Sequence, residues 1–115
     1  MILDELKHQL LVDLSAVGVN VQENFELELR NYSKTYYGRY YPDNNRVVVY
    51  VYEDSALKKL YPYEKLFSTA LHECVHHIQW SSPDYKRVKG VMHNTEFYSM
   101  FNSLLSVHKQ IKGGG

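Results

Sequence analysis

The stretch "TALHECVHHIQW" (69–80) packs one glutamate and three histidines into about three helical turns. At about 100° per residue, with His72 set to zero, His76 falls at about 40° and Glu73 at about 100°. Both imidazoles and the carboxylate therefore share one face. Phe67, Leu71, Cys74, Val75 and Ile78 fall between about 200° and 300°, an apolar back suited to burial. On that wheel Cys74 is a packing residue that points away from the histidines. His77, at about 140°, is a poor partner for His72 and His76 and reads as a surface or supporting residue. Two histidines one turn apart can grip a single ion, so His72-Glu73-x-x-His76 predicts a metal site on a helix.

Working outward, Pro62 suits the first position of this helix, which is expected to run to about Trp80. Upstream, Ile2, Leu3, Leu6, Leu10, Leu11, Leu14 and Val17 recur at three- and four-residue steps before Gly18, which predicts an amphipathic helix with a glycine stop. "FELELR" (25–30) alternates as a half-buried strand does. "TYYGRYY" and "RVVVYVYE" flank "PDNN", a tight-turn composition, and predict a hairpin of 35–41 and 46–53. Asp54 and Ser55 are placed to cap a short helical turn through Leu60. "SSPDYKRVKG" (81–90) has the composition of a loop. Asn94 or Thr95 then caps a last helix with an apolar stripe of Phe97, Phe101, Leu104, Leu105, His108 and Ile111. The expected fold is α+β: an N-terminal helix, a small three-stranded antiparallel sheet, the motif helix and a C-terminal helix. Residues 1–112 form one domain, and 113–115, all glycine, read as a flexible tail or cloning remnant.

The 115 residues carry 13 basic and 13 acidic side chains, so the chain as a whole lacks the basic excess of a strong nucleic-acid binder. Its one cysteine cannot form an internal disulfide. "MILDELKHQL" has no signal-peptide character, and no apolar run approaches the roughly 20 residues of a membrane span. A cytoplasmic protein with no membrane partner is expected; its oligomeric state is not legible.

A catalytic zinc takes three protein ligands and leaves one position for water, so a third ligand must come from outside the helix. A histidine six residues after His76 would suit one known arrangement, but Ser82 stands there. Two candidates follow at plausible spacing, His93 and Glu96. If 93–111 is one helix, His93 lies within about 40° of the stripe of Phe97 and His108, and Glu96 about 100° off it. Orientation favours His93; Glu96 at a helix start also has an electrostatic role with the helix dipole. His108, about 22 Å along the helix from His93, is too distant to share the ion and reads as a packed or capping histidine.

A Tyr- and Val-rich hairpin with Gly38 early in it, then "LFSTALHECVHHIQ", a loop, and "HNTEF" opening a helix together resemble the SprT-like and WLM-type minimal zinc peptidases, over about residues 35–108. The resemblance implies a zincin-like fold, Zn²⁺ as cofactor, a protein or peptide substrate, and a third ligand followed four residues later by an aromatic, here His93 and Phe97. It also brings in DNA-linked substrates, the only ground for a nucleic-acid partner. Met92-His93-Asn94 departs from the Gly-His-Gly common in SprT proteins, and no zinc ribbon follows.

The chemistry expected is peptide hydrolysis by a metal-activated water, with Glu73 as general base, angled away from His72 toward the water. Tyr85 and Tyr98 are the oxyanion or substrate-contact candidates among 11 tyrosines, most of them sheet formers. Two rival readings stand beside it: a zinc-stabilised protein-binding module with little or no hydrolysis, and a protease acting on DNA-associated proteins.

Overall fold

The structure is a computed structural model that describes residues 2–19, 26–81 and 95–113. His93 and Tyr85 lie outside the described residues, and for Glu96 the description extends to the helix backbone alone. The elements are α1 (Ile2–Ala16), β1 (Glu26–Arg30), β2 (Gly38–Tyr41), β3 (Arg46–Tyr50), α2 (Tyr63–Ser81) and α3 (Thr95–Gly113). The α+β architecture is the one expected, and Gly113, placed in the tail by its composition, closes α3 instead.

α1 ends as its sequence dictates. Gly18 takes φ 93, and the Gly18 and Val19 amides return to the Ser15 and Leu14 carbonyls at 2.9 Å each. This is a Schellman cap, which satisfies carbonyls left over at the helix end. Leu10, Leu14 and Val17 from the same helix are buried in the core.

The sheet has the order β1-β3-β2 and is mixed, where a purely antiparallel sheet was expected. β2 and β3 form the predicted hairpin, from Gly38 opposite Val49 to Tyr41 opposite Arg46. The turn 42–45 is closed by the Asn44 and Asn45 amides bonding to Tyr41 and Pro42, and Asn45 adopts φ 48, a conformation asparagine tolerates. β1, however, runs parallel to β3, Glu26 opposite Arg46 through Arg30 opposite Tyr50. The reason lies in hydrophobicity: β3 holds Val47, Val48 and Val49, all fully buried, and a strand apolar on both faces belongs in the centre with a neighbour on each side. The chain therefore crosses from β1 to the far edge and returns through the hairpin into the gap.

Residues 54–60 form a hydrogen-bonded turn and not the short helical turn expected. Asp54 accepts from the Lys58 and Lys59 amides, Leu57 takes φ 57, and Tyr52 bridges Leu60. α2 then packs on the sheet with Leu66, Phe67, Ala70, Leu71 and Cys74 in the same core as Val47, Val49 and Val51. Phe97 of α3 is also fully buried. No helix among the described residues is long and apolar enough to cross a membrane.

Candidate metal centre and cleft

α2 carries the motif as its periodicity requires. Its back, including Phe67, Leu71, Cys74 and Val75, is fully buried, and burial pushes the Cys74 thiol pKa up, so the sulfur is a packed thiol and not a thiolate. On the other face, one ligand atom from each of His72, Glu73 and His76 lies within 4.8 Å of the others, a group that could hold a metal ion. Glu73 and His76 are buried and His72 half-buried. The donor set fits a borderline divalent ion: two imidazole nitrogens and a carboxylate, all Lewis bases.

Glu73 differs from expectation in one respect. Its Oε1 stands 3.1 Å from His72 Nδ1, so the carboxylate is folded toward its neighbour and not angled away. The side chain has enough rotatable bonds to close the 100° that separates the two residues on the wheel.

Phe97 packs against both imidazoles, with ring centroids 4.9 Å from His72 and 4.5 Å from His76, and Phe101 adds a third aromatic contact at 5.8 Å from His72. The predicted stripe of α3 thus meets the motif face. His108, lower on that stripe, is buried and stacks on Phe67 at 3.7 Å, the packed histidine that distance along the helix demanded. Tyr98 is exposed and leans edge-on against Phe97; it is not among the described residues that line the cleft.

The cleft has a volume of about 550 Å³ and runs between the motif face of α2 and β2, an outer strand of the sheet. Gly38 makes this closeness possible. A Cβ there would stand 2.7 Å from both Thr69 Cγ2 and the Val48 carbonyl and 3.4 Å from Glu73 Cγ. Tyr40, two residues on, bonds through its hydroxyl to His77 Nδ1 at 2.8 Å. Of the two readings of His77, surface or supporting, the second is the one seen: buried, it clamps α2 to β2 through Tyr40, and desolvation lowers its pKa.

Lys65 escaped the sequence reading, although it falls at about 20° on the α2 wheel, between His72 and His76. It lines the cleft, with Nζ 4.0 Å above the Tyr37 ring. Comparisons of the chain with protein-family models, with curated proteins and with solved structures found no match.

Proposed function

We propose that the chain is a zinc-dependent peptidase. One observation carries the reading: His72, Glu73 and His76 converge within 4.8 Å at a cleft bordered by an outer β-strand. The resemblance to SprT-like and WLM-type peptidases supports it and supplies His93 as third ligand, four residues before the Phe97 that packs on both histidines. A cytoplasmic site of action belongs to the same proposal.

Zinc bound at such a site lowers the pKa of its water to about 7 and polarises a carbonyl oxygen. Glu73 accepts the proton of the attacking water and hands one to the leaving amine. His72 and His76 would hold the ion, and Phe97 and Phe101 pack against their rings. The substrate lies extended along β2, pairing its backbone with the strand edge. Tyr37 and Tyr50 share a ladder hydrogen bond (Tyr50 amide to Tyr37 carbonyl, 2.9 Å), so alternation along the pair turns the amide and carbonyl of Gly38 outward.

The test is bound zinc per chain by elemental analysis, for the wild type beside His93→Ala, Glu96→Ala and Glu73→Gln. One equivalent in all but His93→Ala, with cleavage of an unfolded protein substrate lost in Glu73→Gln, is expected. Zinc lost in Glu73→Gln would make Glu73 a ligand and not a base. No stoichiometric metal in the wild type would sink the peptidase.

A further inference from the structure

We infer that the cleft selects extended peptides with an acidic side chain about three residues to the C-terminal side of the bond over Glu73, held by Lys65. This deepens the peptidase reading and rests on it for the position of the scissile bond.

The chain is neutral overall, but its cleft is not. Arg39 and Lys65 line it, and Glu73, at the metal group, is the one carboxylate among the described lining residues. Both cations are exposed, and neither pairs with a carboxylate among the described residues, unlike Arg30, Arg46, Lys59 and Lys112. Each is held against aromatic rings instead. Lys65, on the α2 side of the cleft, sits 4.0 Å over Tyr37, whereas Arg39, on the strand face opposite Gly38 and Tyr40, lies 4.5 Å over Tyr36 and 5.0 Å over Tyr41. A ring face positions a cation and leaves its N–H donors available to an anion.

Position along the cleft follows from helix and strand geometry. Lys65 precedes Glu73 by eight residues on α2, about 12 Å, and an extended peptide covers that in three to four residues at about 3.3 Å each. Direction follows too. Tyr37 meets Lys65, Gly38 meets Thr69 and Glu73, and Tyr40 meets His77, so β2 and α2 run the same way along the cleft. A peptide paired antiparallel to β2, the more stable arrangement, runs from the His77 end toward Lys65. Its residues after the scissile bond then pass Lys65, whereas Arg39, between Gly38 and Tyr40 on β2, lies on the other side of that bond. A single-stranded nucleic acid would also meet a cation and aromatic rings there, but one cation is too few for a phosphate backbone, and an outer strand offers amides and carbonyls that match a peptide.

The experiment measures binding to the zinc-loaded Glu73→Gln protein by fluorescence anisotropy. The probes are three labelled peptides of one central sequence, with two glutamates toward the C-terminus, two toward the N-terminus, or two lysines toward the C-terminus. An unlabelled oligothymidylate serves as competitor. The C-terminal glutamate peptide is expected to bind about fivefold tighter than the lysine peptide, the scale of one or two exposed ion pairs, with the contrast shrinking as salt rises. Lys65→Glu should reduce or reverse it, and Arg39→Glu, on the opposite face of β2, should change it less. Equal affinities, a contrast unmoved by Lys65→Glu, tighter binding of the N-terminal glutamate peptide, or displacement by oligothymidylate at lower concentration than by peptide would each overturn the inference. Cleavage by the wild type separates this from the underlying reading. Acidic preference in binding without any cleavage keeps the charged cleft and sinks the peptidase, whereas cleavage indifferent to the glutamates does the reverse.

Discussion

Two clusters of polar side chains are anchored on α2, and they are built oppositely. Near its start, Tyr63 donates its hydroxyl to Asp13 of α1, a buried carboxylate that also accepts from Gln9 at 3.2 Å and pairs with Lys112 of α3 at 3.2 Å. About three turns later, His72, Glu73 and His76 converge. The first cluster sets donors against an acceptor and a cation against an anion, so it is complete within the fold. The second gathers two imidazoles and a carboxylate on one face, with His72 Nδ1 3.1 Å from Glu73 Oε1. The Asp13 cluster joins three helices in the interior, whereas the second group, all of residue types that bind a cation, lines the cleft. The difference predicts opposite responses to substitution: changes in the Asp13 cluster alter stability, and changes in the other alter chemistry.

Glu73→Gln should have the largest effect. It keeps the side chain's size and removes its basicity, so peptide cleavage is expected to fall about 10²- to 10⁴-fold. The thermal midpoint should scarcely move. A comparable drop in stability would make Glu73 part of the fold's own polar balance and erase the contrast with Asp13.

Gly38→Ala tests how far the chemistry depends on β2. The added methyl would collide with Thr69 and the Val48 carbonyl, and strand or helix must shift, at a cost of about 1–3 kcal/mol. Denaturant titration reads the cost. Because the same movement withdraws β2 from Glu73, cleavage should fall with zinc retained; zinc loss here would mean that the hairpin also supports the ligands.

Asp13→Ala should cost about 1–3 kcal/mol by leaving the Tyr63 hydroxyl without its acceptor, with bound zinc unchanged. Its pH dependence carries a sign. Burial pushes the Asp13 carboxyl up, but the bonds from Tyr63, Gln9 and Lys112, with the Lys112 charge, outweigh it and hold the pKa below the usual value. A depressed folded pKa contributes stability that is fully present above the unfolded value of about 4 and is lost as pH falls through the folded one. Urea midpoints of wild type and variant should therefore differ by a constant amount near neutrality and converge in acid. A gap that widened in acid would reverse the assignment.

The unequal legibility of these two clusters in the sequence has a physical cause. The metal group lies within one helix turn, so a wheel places His72, Glu73 and His76 on one face without knowledge of the fold. The split between that face and the buried back of Phe67, Leu71 and Val75 was readable for the same reason. The Tyr40–His77 clamp joins residues 37 apart, and nothing local in "HHI" signals a strand behind it. Alternation in "FELELR" shows a strand and is silent on its direction, which is why β1 was expected in an antiparallel sheet. Asp13 did leave a trace: it lies three residues after Leu10 and beside Leu14 on the apolar stripe of α1, where an acid needs a partner. Lys65 left another, on the wheel position between the two histidines.

The smallest expected effect comes from the residue that a motif reading would most readily misassign. Cys74 stands between His72 and His76 in sequence and is a soft ligand by type, but it lies at 0% exposure among Phe67, Leu71 and Val75 of the core. Replacing it by alanine removes one sulfur from a packed interior, at about 1 kcal/mol, and takes nothing from the donor face. Zinc per chain should stay at the wild-type value, and the wild-type thiol should react with a disulfide reagent no faster than the protein unfolds, because burial disfavours the thiolate. Rapid modification under native conditions, or zinc lost in Cys74→Ala, would place the sulfur on the cleft side of α2. The helix would then have to be rotated by about 160° from the arrangement that brings His72 and His76 together, and the contrast between its two faces would fail.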